Sequence, residues 1–223
     1  QRDRLEVQVT AYGRGRENWL VDYVVIDGDT SLPEVWDRLT DLLNRTFPHQ
    51  AGVELGIVKL AVDSGYATQQ VYSWARLQGP GRVLATKGYD TGTAPIGQPT
   101  AIDVMVTGKR SKRGIKVWPV ATGMLKSEFY GWLKLERPTV ESGQPFPPAY
   151  CHFPQLQEEF FRQLTAEQLV PRVVKGYRKL EWVKTRERNE ALDTFVLGRA
   201  AAAQFGMDRD GGSCPTGRHG PPQ

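Results

Sequence analysis

Two groups of acidic residues could together carry out metal-dependent chemistry on a phosphodiester. Asp63 follows residues 55–62, an apolar run typical of a buried strand, and so stands at the carboxyl end of that strand. Glu190 and Asp193 are three residues apart at the start of the last predicted helix, where both can project from one face. Hard cations such as Mg²⁺ and Mn²⁺ take carboxylate oxygens as ligands and can clamp the oxygens of a phosphoryl group during its transfer. This chemistry requires that the two elements converge at one edge of a sheet.

Each of these acids also has an ordinary structural interpretation. Asp63 precedes Ser64 and Gly65, so it fits a turn or the N-cap of the following helix. Glu190 and Asp193 fit the common enrichment of acids in a first helical turn, where the positive end of the helix favours them. Position alone favours these interpretations, so convergence of the acids is an expectation to be compared with the structure.

Two stretches are rich in basic residues that could neutralise phosphates. The first comprises Lys109, Arg110, Lys112 and Arg113. The second comprises Arg172, Lys175, Arg178, Lys179, Lys184, Arg186 and Arg188. Lys87 and Lys126 stand beside predicted strand or helix boundaries and could reach a scissile phosphate. A solvated loop, a polar hairpin face and ordinary surface lysines are the alternatives; the DNA-binding hypothesis expects the first stretch to flank the acids.

The composition of the 223 residues bounds the class of protein. Apolar residues make up 39% and charged residues 24%, which is enough apolar sequence for a core. The net charge of +4 permits a polyanionic partner without demonstrating one. Cys151 and Cys214 are too few for a disulfide framework, so a reducing compartment is expected. The motifs of hydrolase triads and nucleotide-binding loops are missing, and a chain that starts at Gln1 without methionine is expected to be a piece of a longer protein.

Periodicity and turn residues predict the first elements that must position these side chains. Alternating apolar residues predict an antiparallel hairpin with strands at 5–11 and 18–26. A helix follows, with Ser31 as its cap, Pro33 in its first turn and Glu34 at the capping-box position.

The middle of the chain predicts a parallel unit and then an irregular segment. The order of strand 55–62, helix 68–78 and strand 82–86 is typical of a βαβ unit. Residues 89–114 are rich in Gly, Pro, Thr and basic residues and predict a basic loop insertion with one weak strand at 102–106, before a strand at 115–120.

The rest of the chain predicts three helices, a hairpin and a tail. The helices are expected at 123–135, 155–163 and 188–205, the hairpin strands at 169–175 and 178–184, and a disordered tail at 207–223. The last helix has an unusually small, Ala-rich face. Together the elements predict an α/β fold with a single mixed sheet and helices on both faces.

Several segments, in the same order along the chain, match one known family; they are QRDRLEVQVTAYG, NWLVDYVVIDGD, AVDSGYATQQVYSWAR, RVLATKG, LKSEFYGWLKL, CHFP, FFRQLTAE, EWVK and RNEALD. Together they resemble the nuclease domain of lambda-type terminase large subunits. The similarity covers roughly residues 1–205 and implies a ribonuclease H-like α/β domain over 1–206. In this family an N-terminal ATPase translocates viral DNA and the C-terminal domain cuts it, so the resemblance places an ATPase upstream of Gln1.

The resemblance also implies a metal site. Asp63 matches the acid on the second motif strand, Asp193 matches the closing acid, and Glu190 is a possible auxiliary catalytic residue. The family usually has a second glycine where this chain has Tyr66. The family's first acid normally lies on a strand just before the QRDR turn, which places it ahead of Gln1. Asp3 and Asp22 do not occupy the matching position.

The implied function is an Mg²⁺- or Mn²⁺-dependent double-strand DNA endonuclease, with two ions in the complete site. Its partners would be viral DNA, the terminase small subunit and the portal of the procapsid, in the cytoplasm of the bacterial host. Two alternatives remain open: a DNA-binding or assembly module that does not cut, and a nuclease of the resolvase or transposase type.

Overall fold

The computed structural model of the chain describes residues 2–79, 81–106, 109–174 and 176–209, and of these it describes the backbone alone at 105–106, 109–110, 113 and 174. The strands are β1 (Arg4–Tyr12), β2 (Asn18–Asp27), β3 (Thr46–Pro48), β4 (Glu54–Gly56), β5 (Leu60–Asp63), β6 (Val83–Tyr89), β7 (Thr100–Val106), β8 (Lys109–Ala121), β9 (Cys151–His152), β10 (Glu167–Val174) and β11 (Tyr177–Lys184). The α-helices are α1 (Pro33–Leu43), α2 (Thr68–Leu77), α3 (Thr122–Trp132), α4 (Glu158–Leu164) and α5 (Glu190–Phe205).

The strands form two principal sheets rather than the single sheet that the sequence predicts. One has the order β1-β2-β9, with β1 and β2 antiparallel. The other has the order β5-β6-β8-β7, in which β5, β6 and β8 are parallel and β7 is antiparallel to β8. Within the described residues, β1 pairs with β2 alone and β5 pairs with β6 alone, so both are edge strands of their sheets. The α/β class and the βαβ unit are confirmed, and the single sheet is wrong for these residues.

The helices cover the sheets with two separate apolar clusters. Helices α1 and α2 pack on one cluster, which includes Trp36 and Trp74. Helices α3, α4 and α5 pack on the other, where the rings of Phe129 and Phe195 stack with centroids 3.8 Å apart. The two faces of β8 contact different clusters. Val117 belongs to the first cluster, and Val120, three residues further along the strand and so on the opposite face, belongs to the second. Helices therefore lie on both faces, as the sequence predicts.

Helix α1 forms where the spacing of apolar residues predicts it, but the predicted N-cap residue is wrong. Val35, Trp36, Leu39, Leu42 and Leu43 are buried, and this spacing puts them on one face of the helix. The N-cap is Leu32, not Ser31, and no side chain caps the helix. The backbone N–H of Ser31 instead donates to the carboxylate of Asp29, so the turn before the helix is closed by an aspartate.

The segment predicted as a basic loop at 89–114 contains much of an antiparallel hairpin. Strand β7 pairs with β8 along its length, and β8 starts at Lys109, six residues before the predicted strand at 115–120. The alternation in this segment is masked by Gly, Thr and basic residues, which an edge hairpin tolerates because only part of it is covered. The weak strand predicted at 102–106 is confirmed as β7, and the prediction of a loop is wrong for residues 109–114.

The residues that follow α5 are bound to the domain, although the sequence predicts that a disordered tail begins at residue 207. Arg199 is 2% exposed and its guanidinium binds the carboxylates of Glu128 and Asp208 at distances of 3.0–3.1 Å. Residues 207–209 are thus tied to the domain, while the rest of the predicted tail, 210–223, lies outside the described residues. Across the part of the chain that is described, no helix has the length and apolar character needed to cross a membrane.

The stacked pair Phe129 and Phe195 gives a test of this packing. Phe129 is fully buried, so Phe129→Ala should lower the free energy of unfolding by about 3–5 kcal/mol through lost burial and a cavity. Leu77 is 83% exposed, and Leu77→Ala should change stability by no more than about 0.5 kcal/mol. Urea denaturation followed by tryptophan fluorescence measures both values. Equal effects of the two substitutions would show that α3 does not pack on α5 as described.

Candidate functional site

Asp63 and Asp193 stand near the ends of two elements, β5 and α5, that contact each other beside a groove between the two sheets. Asp63 is the last residue of β5 and Asp193 lies in the first turn of α5. The negative charge of Asp63 contributes to raising the pKa of Asp193, so the two carboxylates are within electrostatic range of each other. Both residues line the same groove. The two elements therefore converge, as the metal-binding hypothesis requires.

The turn after β5 holds the Asp63 carboxylate close to the backbone. The backbone N–H of Gly65 donates to Oδ1 of Asp63 at 3.2 Å. A Cβ at position 65 would lie only 3.0 Å from the other carboxylate oxygen, so glycine allows this close approach. Tyr66, which departs from the family pattern, has a half-exposed ring in the wall of the groove.

The surroundings of Asp193 raise its pKa to about 6. Partial removal of the carboxylate from water is the main cause, although 53% of its side-chain surface stays exposed at the mouth of the groove. The charges of Glu167 and Asp63 raise the pKa further, and the charges of Lys126 and Lys184 oppose them. Such a carboxylate is mostly ionised at neutral pH, and a cation beside it would favour the ionised form.

A third carboxylate, Glu167, lies beside these acids and was not singled out in the sequence. Its side chain is 5% exposed, and both of its oxygens accept hydrogen bonds of 2.8 Å from Nζ of Lys126. Nδ2 of Asn189 donates to it at 2.8 Å, and Oδ1 of Asn189 accepts from Nζ of Lys184 at 2.7 Å. Nothing in the local sequence marks Glu167, because a glutamate just before a predicted hairpin strand is usually a surface residue. Its partners come from distant segments of the chain.

Lys126 is placed differently from the expected phosphate-binding lysine. Its side chain is 12% exposed, and its ammonium lies 3.9 Å from Oδ1 of Asp193 in addition to its bonds with Glu167. The lysine therefore faces the acids of the site rather than the open surface. Tyr130 and Trp182 hold the neighbouring hairpin against α3, since the Tyr130 hydroxyl donates to the Glu167 carbonyl and the Trp182 ring N–H donates to the Gly123 carbonyl.

Glu190 belongs to a separate ion network that joins the start of α5 to β1. Arg188 binds Glu190 at 3.2 Å and Glu6 at 2.6 Å, and Glu6 also accepts hydrogen bonds from Arg4 and Tyr23. Glu190 lines the groove with Asp63 and Asp193, so it remains near the site. Its role as an auxiliary catalytic residue stays a prediction.

The first basic stretch does not lie beside the acids. Strand register places Asp63 opposite Thr86 and Thr86 opposite Trp118, whereas Lys112 is six residues before Trp118 on β8. That offset corresponds to roughly 20 Å along the strand. The expectation that Lys109, Arg110, Lys112 and Arg113 flank the acids is therefore wrong for the backbone, and of their side chains only that of Lys112 is described, which is exposed.

Other basic residues lie at the acidic end of the sheet. Lys87 is exposed and follows Thr86, the register partner of Asp63. Lys184 ends β11 directly opposite Glu167, and exposed Arg186 lies in the loop that leads to α5. The hairpin of β10 and β11 extends from this point, with Arg178 and Lys179 exposed on it. Within the second basic stretch, Lys184 and Arg186 are thus nearer to the acids than Lys112 is.

The groove itself has a volume of about 1180 Å³, above the usual range for small-molecule pockets. Its walls include Leu5–Gly13, which follows β1, and Leu55–Asp63, which runs from the end of β4 through β5; α5 contributes the small residues Gly198, Ala201 and Ala202. The free edges of β1 and β5 both face this space. Helix α5 runs alongside β1 in the same direction, because Arg188 contacts Glu6 and Thr194 contacts Gln8.

The donor set decides what the site can hold. Among the residues that the structure describes, no cluster of three or more His, Cys, Asp and Glu side chains is suited to a metal ion. Asp63 and Asp193 supply two hard oxygen donors, which suits Mg²⁺, an ion that proteins often bind through one or two carboxylates together with water and substrate phosphates. The residues present therefore fit a divalent cation that is completed by other oxygens.

Comparison with known proteins agrees with the segments that carry the resemblance. The family described as terminase large subunit gpA, endonuclease domain, matches residues 1–211. The terminase large subunit of Escherichia phage lambda is 33% identical over 206 residues, which cover 90% of this chain and 30% of that protein. The terminase large subunit of Enterobacteria phage P21 is 29% identical over 203 residues, with the same two coverages.

The chain thus spans about 30% of the length of these relatives. No solved structure matches it, so the ribonuclease H-like fold stays a prediction. The family match extends over all of the described residues and includes both Asp63 and Asp193. The chain belongs to the endonuclease domain family of the gpA-type terminase large subunits.

Proposed function

We propose that this domain is a divalent-metal-dependent endonuclease that cuts double-stranded viral DNA during packaging. The observation that carries the proposal is the convergence of Asp63 and Asp193, from separate elements, at one end of the groove. Family membership supports the endonuclease activity. The same observation disfavours a purely DNA-binding module, because partly desolvated carboxylates repel a polyanion unless a cation stands between them.

In this proposal Asp63 and Asp193 hold Mg²⁺ or Mn²⁺. The ion supplies Lewis-acid stabilisation of the charge that develops on the phosphodiester oxygens. The chain's own residues position the ligands: the Gly65 N–H orients Asp63, and the first turn of α5 presents Asp193 toward the groove. Lys87 and Arg186 are exposed at the same end and can bind phosphates on either side of the scissile bond.

We also propose that a further strand, carrying a third acid, lies in the groove. The family resemblance implies such a strand ahead of the QRDR turn. The free edges of β1 and β5, the apolar walls and the small residues of α5 support it, because they leave room for one more strand between the two sheets. In the antiparallel orientation that a short turn into β1 requires, its carboxyl end would come to the first turn of α5, beside Asp193.

The cleavage test compares four proteins in the presence of Mn²⁺. We expect residues 1–223 to nick or cut plasmid DNA slowly, and the chain extended upstream through that strand to cut on the order of a hundredfold faster, since a missing ligand weakens both metal binding and alignment. Asp193→Asn in the extended chain should remove cutting. Asp37→Asn, an exposed acid on α1, is the matched control and should leave the rate unchanged.

Two outcomes would contradict the proposal. Full activity of the Asp193→Asn variant would exclude the site described here. An extended chain that binds duplex DNA but does not cut it in the presence of any divalent ion would favour the non-cutting module. A chelator control establishes that any cutting depends on metal.

The position of the acids also predicts which basic residues bind DNA. The double variant Lys87→Ala with Arg186→Ala removes two charges at the acidic end, whereas Lys109→Ala with Arg110→Ala removes two charges at the start of β8. We expect the first variant to flatten the dependence of duplex affinity on salt by up to about 0.9 in the log–log slope for each lost phosphate contact, and the second to change it less. Fluorescence anisotropy at several salt concentrations measures both slopes. The reverse order would return the DNA path to the start of β8.

A further inference from the structure

The Lys126 ammonium lies between two carboxylates at the centre of the site. Its Nζ is 2.8 Å from both oxygens of Glu167 and 3.9 Å from Oδ1 of Asp193. Both Lys126 and Glu167 are nearly buried, so water screens this contact little. The arrangement is that of a carboxylate chelating a cation with both oxygens, with a second carboxylate near the same cation.

The surrounding hydrogen bonds hold Glu167 toward the lysine. Nδ2 of Asn189 donates to Oε1 of Glu167 at 2.8 Å, and Oδ1 of Asn189 accepts a hydrogen bond from Lys184. Because its side chain is used in this way, Asn189 does not cap α5 although it occupies the N-cap position. The network therefore fixes Glu167 facing Lys126, although Glu167 is close enough to Asp193 for its charge to act there.

We propose that Lys126 serves as an internal cation of the site, occupying the position between Glu167 and Asp193 that a divalent ion would otherwise take. Its ammonium keeps Glu167 out of the metal-ligand set and leaves the outer face of Asp193 to the metal. Lys126 and Glu167 are then positioning residues and not ligands. This inference rests on the proposed function in one respect, namely that Asp193 holds the metal.

The charges explain why such a lysine is useful. Three carboxylates converging without a cation would repel one another, and each would favour its protonated form. A fixed ammonium removes part of that repulsion in the absence of metal, and it does not exchange with solvent as a bound ion does. An ordinary buried ion pair would have the same distances, but it would have no specific effect on metal binding.

Mn²⁺ binding to three proteins of residues 1–223 separates these two roles. Wild type, Lys126→Met and Glu167→Gln are titrated with Mn²⁺, and free ion is followed by electron paramagnetic resonance. We expect Lys126→Met to bind one more Mn²⁺ than wild type, or to bind it at least about tenfold more tightly, because Glu167 becomes a ligand. We expect Glu167→Gln to bind about tenfold more weakly, because the lysine then competes with the metal for Asp193.

The opposite directions of the two effects carry the test. General loss of structure would weaken binding in both variants, and circular dichroism identifies a variant that has not folded. If Lys126→Met does not fold, the double variant Lys126→Met with Glu167→Gln removes the unpaired charge, and it should bind Mn²⁺ as wild type does or more tightly. Unchanged binding in both single variants, or weaker binding in a folded Lys126→Met, would overturn the inference.

Asp193→Asn distinguishes this failure from failure of the proposed function. If Asp193→Asn binds Mn²⁺ as wild type does, the metal site itself is misplaced and the proposed function is wrong. If Asp193→Asn weakens Mn²⁺ binding while Lys126→Met has no effect, the metal site stands and only the role of Lys126 is rejected.

Discussion

The rotation of helix α5 about its own axis is the constraint on which the site depends. One side of the helix is fixed by burial of Ala191, Leu192, Phe195 and Val196, with Phe195 stacked on Phe129. This leaves Asp193, Thr194 and Gly198 on the side that lines the groove. The same helix contacts β1 and β5, which do not pair with each other, so it also links the two sheets. Asp193 reaches Asp63 because apolar packing elsewhere on the helix determines which residues face the groove.

Electrostatics at this end of the molecule follow from that packing. Placing Asp193, Asp63 and Glu167 near one another concentrates negative charge, and partial loss of water makes the charge more costly. Lys126, Lys184 and the start of α5 offset it from the protein side. The pKa of Asp193 is nevertheless raised to about 6, mainly because burial removes the carboxylate from water. A site of this kind is suited to receive an additional cation from solution.

Local patterns in the sequence gave much of the fold. Alternation and helical spacing are local properties, so they predict elements formed by residues close together in the chain. These elements are the hairpin of β1 and β2, the βαβ unit, the hairpin of β10 and β11, and α5. The same patterns placed Asp63 at a strand end and Asp193 in a first helical turn. The rule that the carboxyl ends of strands form the functional edge pointed to Asp63, and the family resemblance pointed to Asp193 as its partner.

What could not be predicted depends on partners far apart in the chain. Glu167 becomes part of the site through Lys126, 41 residues away, and no local pattern distinguishes it from other glutamates. The position of Lys112 was misjudged because the pairing of β8 with β6 and β7 is set by register, which a stretch of basic residues does not encode. The division of the strands into two sheets could not be predicted either, because the groove between the sheets is formed jointly by β1, β5 and α5, which are far apart in the chain.

The central claim is that Asp63 and Asp193 share a divalent cation. The most direct measurement is anomalous scattering from crystals of the domain soaked in Mn²⁺, compared with crystals of the Asp193→Asn variant treated identically. The account predicts an anomalous peak between the carboxylates of Asp63 and Asp193 at the end of the groove, and loss of that peak in the variant. A peak at Glu6 and Glu190 instead, or no peak in wild type at millimolar Mn²⁺, would contradict it.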